Sequence, residues 1–355
     1  MNVVKNDIFF LRCSLCIFLA AVWIGCGGAK EAVRTQSQPD ARQTEKEPEI
    51  TIPEDPHRLL PASCFGALSI DVDAVSASPI FQSYLEEISI DLNQAEKHIV
   101  RYIVEHTDRL VIGLVLRSKK SNKKPYSIVI GRGDFDMPRF LSLVKEFAAT
   151  NQSSGVTHAG DAETRKGRFP VFFDDGEIQG LVLDSHTIMI ADNKLIPDVL
   201  DLLVDHDLPR FIDSDLYKRI TPHVTLGQGG LSFVSSAPNP VKKKFMRQKK
   251  TDNIFAKYER ALESIQAGGM RLDLNAEINA KIVLETASPD HPQTIIGMIN
   301  GLLFVGRIAI DDPVFNQVAN QLSTDVNGLF VNLKIHATRE QLSRLIEIAN
   351  KRSGD

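Results

Sequence analysis

Phe65-Gly66-Ala67-Leu68-Ser69-Ile70 and Gln228-Gly229-Gly230-Leu231-Ser232-Phe233 carry the same pattern, a turn running into a strand, about 163 residues apart. Self-similarity of this kind marks a repeated unit. The segments after each copy repeat as well. A helical stretch comes first, Ile80 to His106 in one copy and Val241 to Gln266 in the other. In the first stretch Phe81, Leu85, Ile88 and Leu92, then Ile99, Ile103 and Val104, recur at the three- and four-residue spacing of a helix that buries one face. An alternating strand is next, Arg109 to Leu116 against Arg271 to Asn275. A second strand comes after it, Tyr126 to Gly131 against Ile278 to Glu285. Ser118 to Lys124 lengthens the first hairpin, an insertion that a surface loop tolerates at little cost.

Each copy then continues with a helix. Met137 to Ala149 has Asp134 and Asp136 as capping residues, and Gln293 to Phe304 comes after Ser288-Pro289-Asp290. The copies close alike: Gly180 to Leu183 and Thr187 to Ile190 lead into helix Lys194 to Val204, while Gly328 to Leu333 leads into helix Arg339 to Lys351. Strands joined by short turns pair antiparallel, and helices grouped between them cover one face. The expected fold is α+β: two related units, each an antiparallel sheet with helices packed mainly on one face. Val156 to Gly160 and Phe169 to Phe173 add a strand pair to the first unit, ended by the turn Asp174-Asp175-Gly176. The boundary is expected between Asp205 and Asp215, where His206, Asp207, Pro209 and Asp213 interrupt the apolar periodicity. Four segments result: a signal at 1–25, a tether at 26–56, and units at 57–210 and 211–355.

At the N-terminus, Lys5 and Arg12 precede an uncharged run from Cys13 to Ile24, which fits an export signal. A membrane-spanning helix needs about 20 apolar residues, and extending this run backwards meets Arg12 and Asp7. The run ends in Trp23-Ile24-Gly25-Cys26, which resembles the lipobox of bacterial lipoproteins, with Trp23 standing where Leu is usual. The resemblance implies cleavage before Cys26 and lipidation of Cys26. Each buried methylene then contributes about 0.8 kcal/mol, and two or more acyl chains hold stably. Ordinary cleavage after Ala29, giving a secreted soluble protein, is the alternative. Between Gly27 and Pro56 the large aliphatic residues are Val33, Ile50 and Ile52 alone, too few to order the segment. As a coil of roughly 30 residues it spans on the order of 30 Å.

The body from about Pro53 onward resembles a loose group of exported bacterial proteins with a lipoprotein signal, a polar stalk and two divergent α+β units. That resemblance implies the architecture and transfers no activity. Cys13 and Cys16 leave with the signal. The remaining Cys64 reads as a small buried hydrophobe at a strand start. A composition of 43% hydrophobic and 24% charged residues is that of a globular chain. The formal charge of -4, or -5 once the signal is removed, argues against nucleic acid as a partner.

Several short motifs invite a chemical reading. Gly131-Arg132-Gly133-Asp134 lies between strand and helix, where a phosphate loop would sit, yet Asp136 occupies the position of the third small residue and would repel phosphate. A capped strand-to-helix turn explains it better. Asp184-Ser185-His186 offers the side chains of a nucleophile triad, but neighbours on one turn diverge, and no Gly-x-Ser-x-Gly elbow surrounds Ser185. Asp205-His206-Asp207 and Asp174-Asp175-Gly176-Glu177 lack the alternating ligands of a calcium loop and read as turns. No metal and no cofactor is expected.

The strongest charge feature is the run containing Lys242, Lys243, Lys244, Arg247, Lys249 and Lys250. It would contact an anionic surface at roughly 1 kcal/mol per charge. A solvated helix face is the plainer reading. Together these features lead to the expectation of a lipid-anchored protein of the cell envelope, acting as a non-enzymatic binding or scaffolding module. Its partners would be the membrane through Cys26 and an envelope protein or anionic polymer. The alternatives are a hydrolase whose site assembles only in space and a carrier of amphiphiles.

Overall fold

Antiparallel pairing organises every described strand. A computed structural model describes residues 50–79, 82, 94–116, 125–150, 161–164, 167–174, 176–236, 261–274 and 277–353. In chain order the described elements are β1 (Cys64–Asp71), α1 (Val72–Ser76), α2 (Gln94–His106), β2 (Thr107–Val115), β3 (Tyr126–Gly133), α3 (Met137–Thr150), β4 (Asp161–Thr164), β5 (Gly167–Asp174), β6 (Ile178–Asp184), β7 (Thr187–Asp192), α4 (Ile196–Val204), α5 (Asp215–Ile220), β8 (Leu231–Ser236), β9 (Ile265–Leu274), β10 (Glu277–Thr286), α6 (Pro292–Ile310), α7 (Pro313–Gln321), β11 (Ser323–Asn327), β12 (Phe330–Thr338) and α8 (Arg339–Ser353). The fold class is α+β, as the alternation of apolar residues implies.

The chain divides into two compact units, and they are not its two consecutive halves. Of the described residues, one unit takes those within 50–61, 91–108 and 126–210, and the other those within 62–90, 109–125 and 211–353. The break after Arg210 falls inside the expected boundary. The correction concerns β1 and most of β2, which belong with the C-terminal residues because β1 pairs with β8. In that register Ser69 stands opposite Ser232, Leu68 opposite Phe233 and Ile70 opposite Leu231. The two stretches that match in sequence are therefore neighbours in space.

In the first unit the strand order is β3-β7-β6-β5-β4. Every residue of β7 is buried, and so are four consecutive residues in β3 and in β6. A strand covered on both faces reads as a continuous apolar run rather than an alternation. β7 and the middle of β3 and β6 are therefore covered on both faces. Around α3, Phe140 gathers the rings of Phe135, Phe172 and Tyr102, the last from α2. α4 contributes Ile196, Val199, Leu200 and Leu203 to the core, and it touches the 3-10 turn Pro56–Leu59.

In the second unit the order is β11-β12-β10-β9-β8-β1-β2. One face packs Ile282, Leu284, Val331 and Leu333 against Ile295, Ile296 and Ile299 of α6. On the other face, a side chain at Gly269 would run into Ile220 of α5 and Val224 beyond it. The ion pair Arg219–Glu285, 2.8 Å, also joins α5 to β10.

Local boundaries differ in informative ways. β9 begins at Ile265, so the helix expected to reach Gln266 ends before it. Opposite Ser69 stands Val111, and opposite Ser232 stands Arg271, which shifts the equivalence of β2 and β9 by two residues from the one expected. An even shift leaves every side chain on its own face. α6 runs on to Ile310, and α7 and β11 have no counterpart among the expected elements. β5 finds its partner in Asp161–Thr164, while the expected Val156 to Gly160 lies outside the described residues.

Candidate functional site

The motifs singled out in the sequence resolve into structural roles. Gly133 is glycine because a Cβ there would collide with the carbonyl of His106. Its neighbour Arg132 holds Pro53 O at 3.1 Å and Thr187 Oγ1 at 3.3 Å. Asp136 accepts from Arg139 N, 3.1 Å, and so caps α3. Asp184 Oδ1 accepts from His186 N, 2.8 Å, closing the hairpin between β6 and β7. The His186 imidazole turns away to Gly133 O, 3.1 Å, so no series of hydrogen bonds links Asp184, Ser185 and His186.

Asp174 and Asp205 each accept a backbone N–H two residues on, at 2.8 and 3.0 Å, which is the geometry of an Asx turn. Cys64 opens β1 as a buried residue, and burial pushes its thiol up to about 12. Among the described residues no three His, Cys, Asp or Glu side chains are grouped to hold a metal ion. Cys26, Lys242, Lys243, Lys244, Arg247, Lys249 and Lys250 lie outside the described residues, as does the Ser118 to Lys124 tip.

Two features that no sequence motif marks emerge from the second unit. The first is a cationic rung across the sheet. Register places Arg271 of β9 opposite Lys281 of β10, Lys281 opposite Lys334 of β12, and Lys334 opposite Ser323 of β11. Residues directly opposite in antiparallel strands project from the same face. Asp273, Asn279 and His336 form the adjacent rung, and both line one open cleft of about 430 Å³.

Within the cleft Arg271 is committed: its Nη2 lies 3.0 Å from Asp273 Oδ1, and its Nη1 donates to Gln228 Oε1 at 3.1 Å. His336 Nδ1 is 2.8 Å from Asn279 Oδ1, with Glu277 Oε2 3.6 Å from Nε2. Lys281 and Lys334 make no hydrogen bond or ion pair with described residues.

The second feature is the outer face of α6. Ile295 faces the core, whereas Phe304 (65%), Val305 (61%) and Ile308 (68%) are exposed on the side away from it, and Leu302 (52%), two turns beyond Ile295, is exposed next to them. Arg307 is the one charged residue in the helix, and its Nη2 donates to Asn320 Oδ1 of α7 at 2.7 Å. By length and composition α6 is the one described helix long and apolar enough to cross a membrane. The signal is present in the sequence as a 19-residue segment with a single charge, but only the packing shows which side of it stays uncovered.

No protein-family model, curated protein or solved structure matches this chain.

Proposed function

We propose that the chain is a membrane-tethered envelope lipoprotein whose folded body is a non-enzymatic binding module, and that its docking surface is the outer face of α6, applied to the lipid bilayer. The observation that carries this reading is the cluster of four large apolar side chains, each more than half exposed, on one helix. Contiguous exposed apolar surface marks sites of protein or membrane contact. A helix of 19 residues is about 28 Å long, enough to lie in the interface with its apolar side sunk among acyl chains. The tether favours the membrane as occupant, because lipid at Cys26 and a coil spanning roughly 30 Å would hold the body close to a bilayer. The experiment is membrane fractionation of Cys26→Ser. Release of most of the protein is the expected result, and unchanged partitioning would exclude the lipid anchor.

We infer further that the body consists of two copies of one α+β unit. Support comes from the strand orders, since β3-β7-β6 runs like β10-β12-β11 and β1-β2 like β8-β9. The Ser69–Ser232 pairing adds to it, because matched serines facing each other across an antiparallel pair are what a local two-fold axis produces. α3 comes after β3 as α6 comes after β10, and α4 comes after β7 as α8 comes after β12.

A further inference from the structure

We propose that the rung Arg271–Lys281–Lys334 is a binding site for a phosphate-bearing anion, on a face distinct from the apolar side of α6. Lys281 and Lys334 stand directly opposite each other in adjacent strands, an arrangement that destabilises a sheet when the charges are alike. Both strands are interior in the unit's order, so the lysines do not serve as guards of a sheet edge. Neither ammonium is neutralised by a described carboxylate. Asp273, the acid in the adjacent rung, is taken by Arg271, and Glu277 faces His336. Asp325 lies two positions along β11 from Ser323 and pairs with Asn332 in register.

Lys281 and Lys334 stand directly opposite each other on strands about 4.8 Å apart, a base from which two flexible side chains can reach oxygens of successive linked phosphates. Around them Asn279, His336, Ser323 and Gln321 line the same cleft with further polar groups. The guanidinium of Arg271, kept in place by Asp273 and Gln228, extends the positive row by one strand. A ligand bridging the row would supply the charge the lysines lack.

The test is titration of the detergent-solubilised full chain with inorganic tripolyphosphate, alongside the double variant Lys281→Gln, Lys334→Gln. Wild type is expected to bind saturably. Each lysine removed is expected to weaken binding by about tenfold or more, the usual loss for a charge-assisted hydrogen bond. Melting keeps the result interpretable: relief of like-charge repulsion predicts that the double variant melts at or above the wild-type temperature. Vesicles containing phosphatidylglycerol form a second arm. Binding to them that the double variant loses, with none to tripolyphosphate, assigns the phosphate to a lipid headgroup. Equal affinity of wild type and a folded double variant for both probes, or no binding by wild type, overturns the proposal.

Discussion

Phe140 shows how much one side chain can hold. It is fully buried, with ring centroids 5.9 Å from Tyr102, 6.3 Å from Phe135 and 5.0 Å, edge-on, from Phe172. Phe140→Ala should lower unfolding free energy by about 3–5 kcal/mol, the range for removing a buried aromatic ring, as read from urea denaturation. A loss under about 1 kcal/mol would mean the ring cluster is not well packed. The same neighbourhood explains why Gly133 resembles part of a phosphate loop. A glycine demanded by close backbone approach and one demanded by a ligand are the same letter, and only the carbonyl of His106 beside it tells them apart.

Asp312 joins two helices that succeed each other without a loop. Asp311, with φ 46°, ends α6 in the left-handed region, and Asp312 Oδ1 accepts from Val314 N at 2.9 Å and Phe315 N at 3.3 Å to begin α7. Burial raises the pKa of its carboxyl, but those two amides and the Arg344 guanidinium outweigh it, so the pKa is lowered. A carboxylate with a depressed pKa stabilises the fold above its unfolded pKa, and that contribution fades as pH falls through the folded value. Asp312→Ala should therefore melt below wild type at neutral pH, with the gap closing in acid. A gap independent of pH would assign the effect to something other than the charge. The pair Asp312-Pro313 is a sequence signal for a helix start that the periodicity of the neighbouring residues obscures.

The proposed membrane contact combines two parts of the chain that are far apart in sequence, the lipid site at Cys26 and the exposed side of α6. If lipid and the α6 face act together, Phe304→Ser with Ile308→Ser should leave the lipidated protein on the membrane while releasing the Cys26→Ser form completely. Flotation on liposomes measures this. Exposed positions usually change stability by less than about 0.5 kcal/mol, so melting should barely move. Residual membrane binding of the triple variant would show that another surface carries the contact.

Most of the described strands and helices are legible in local pattern, because alternation and three-to-four spacing reflect which side of an element meets the core. β1 and β8 carry a matching order of residues, Leu68-Ser69-Ile70 against Leu231-Ser232-Phe233. Three matters required the folded chain. β7 is buried on both faces, which depends on what lies above and below it rather than on its own letters. β1 pairs with β8 across more than 160 residues, a choice of partner that no local preference encodes. Arg271, Lys281 and Lys334 become one row only through register, because side chains in separate strands meet or miss according to how those strands slide against each other.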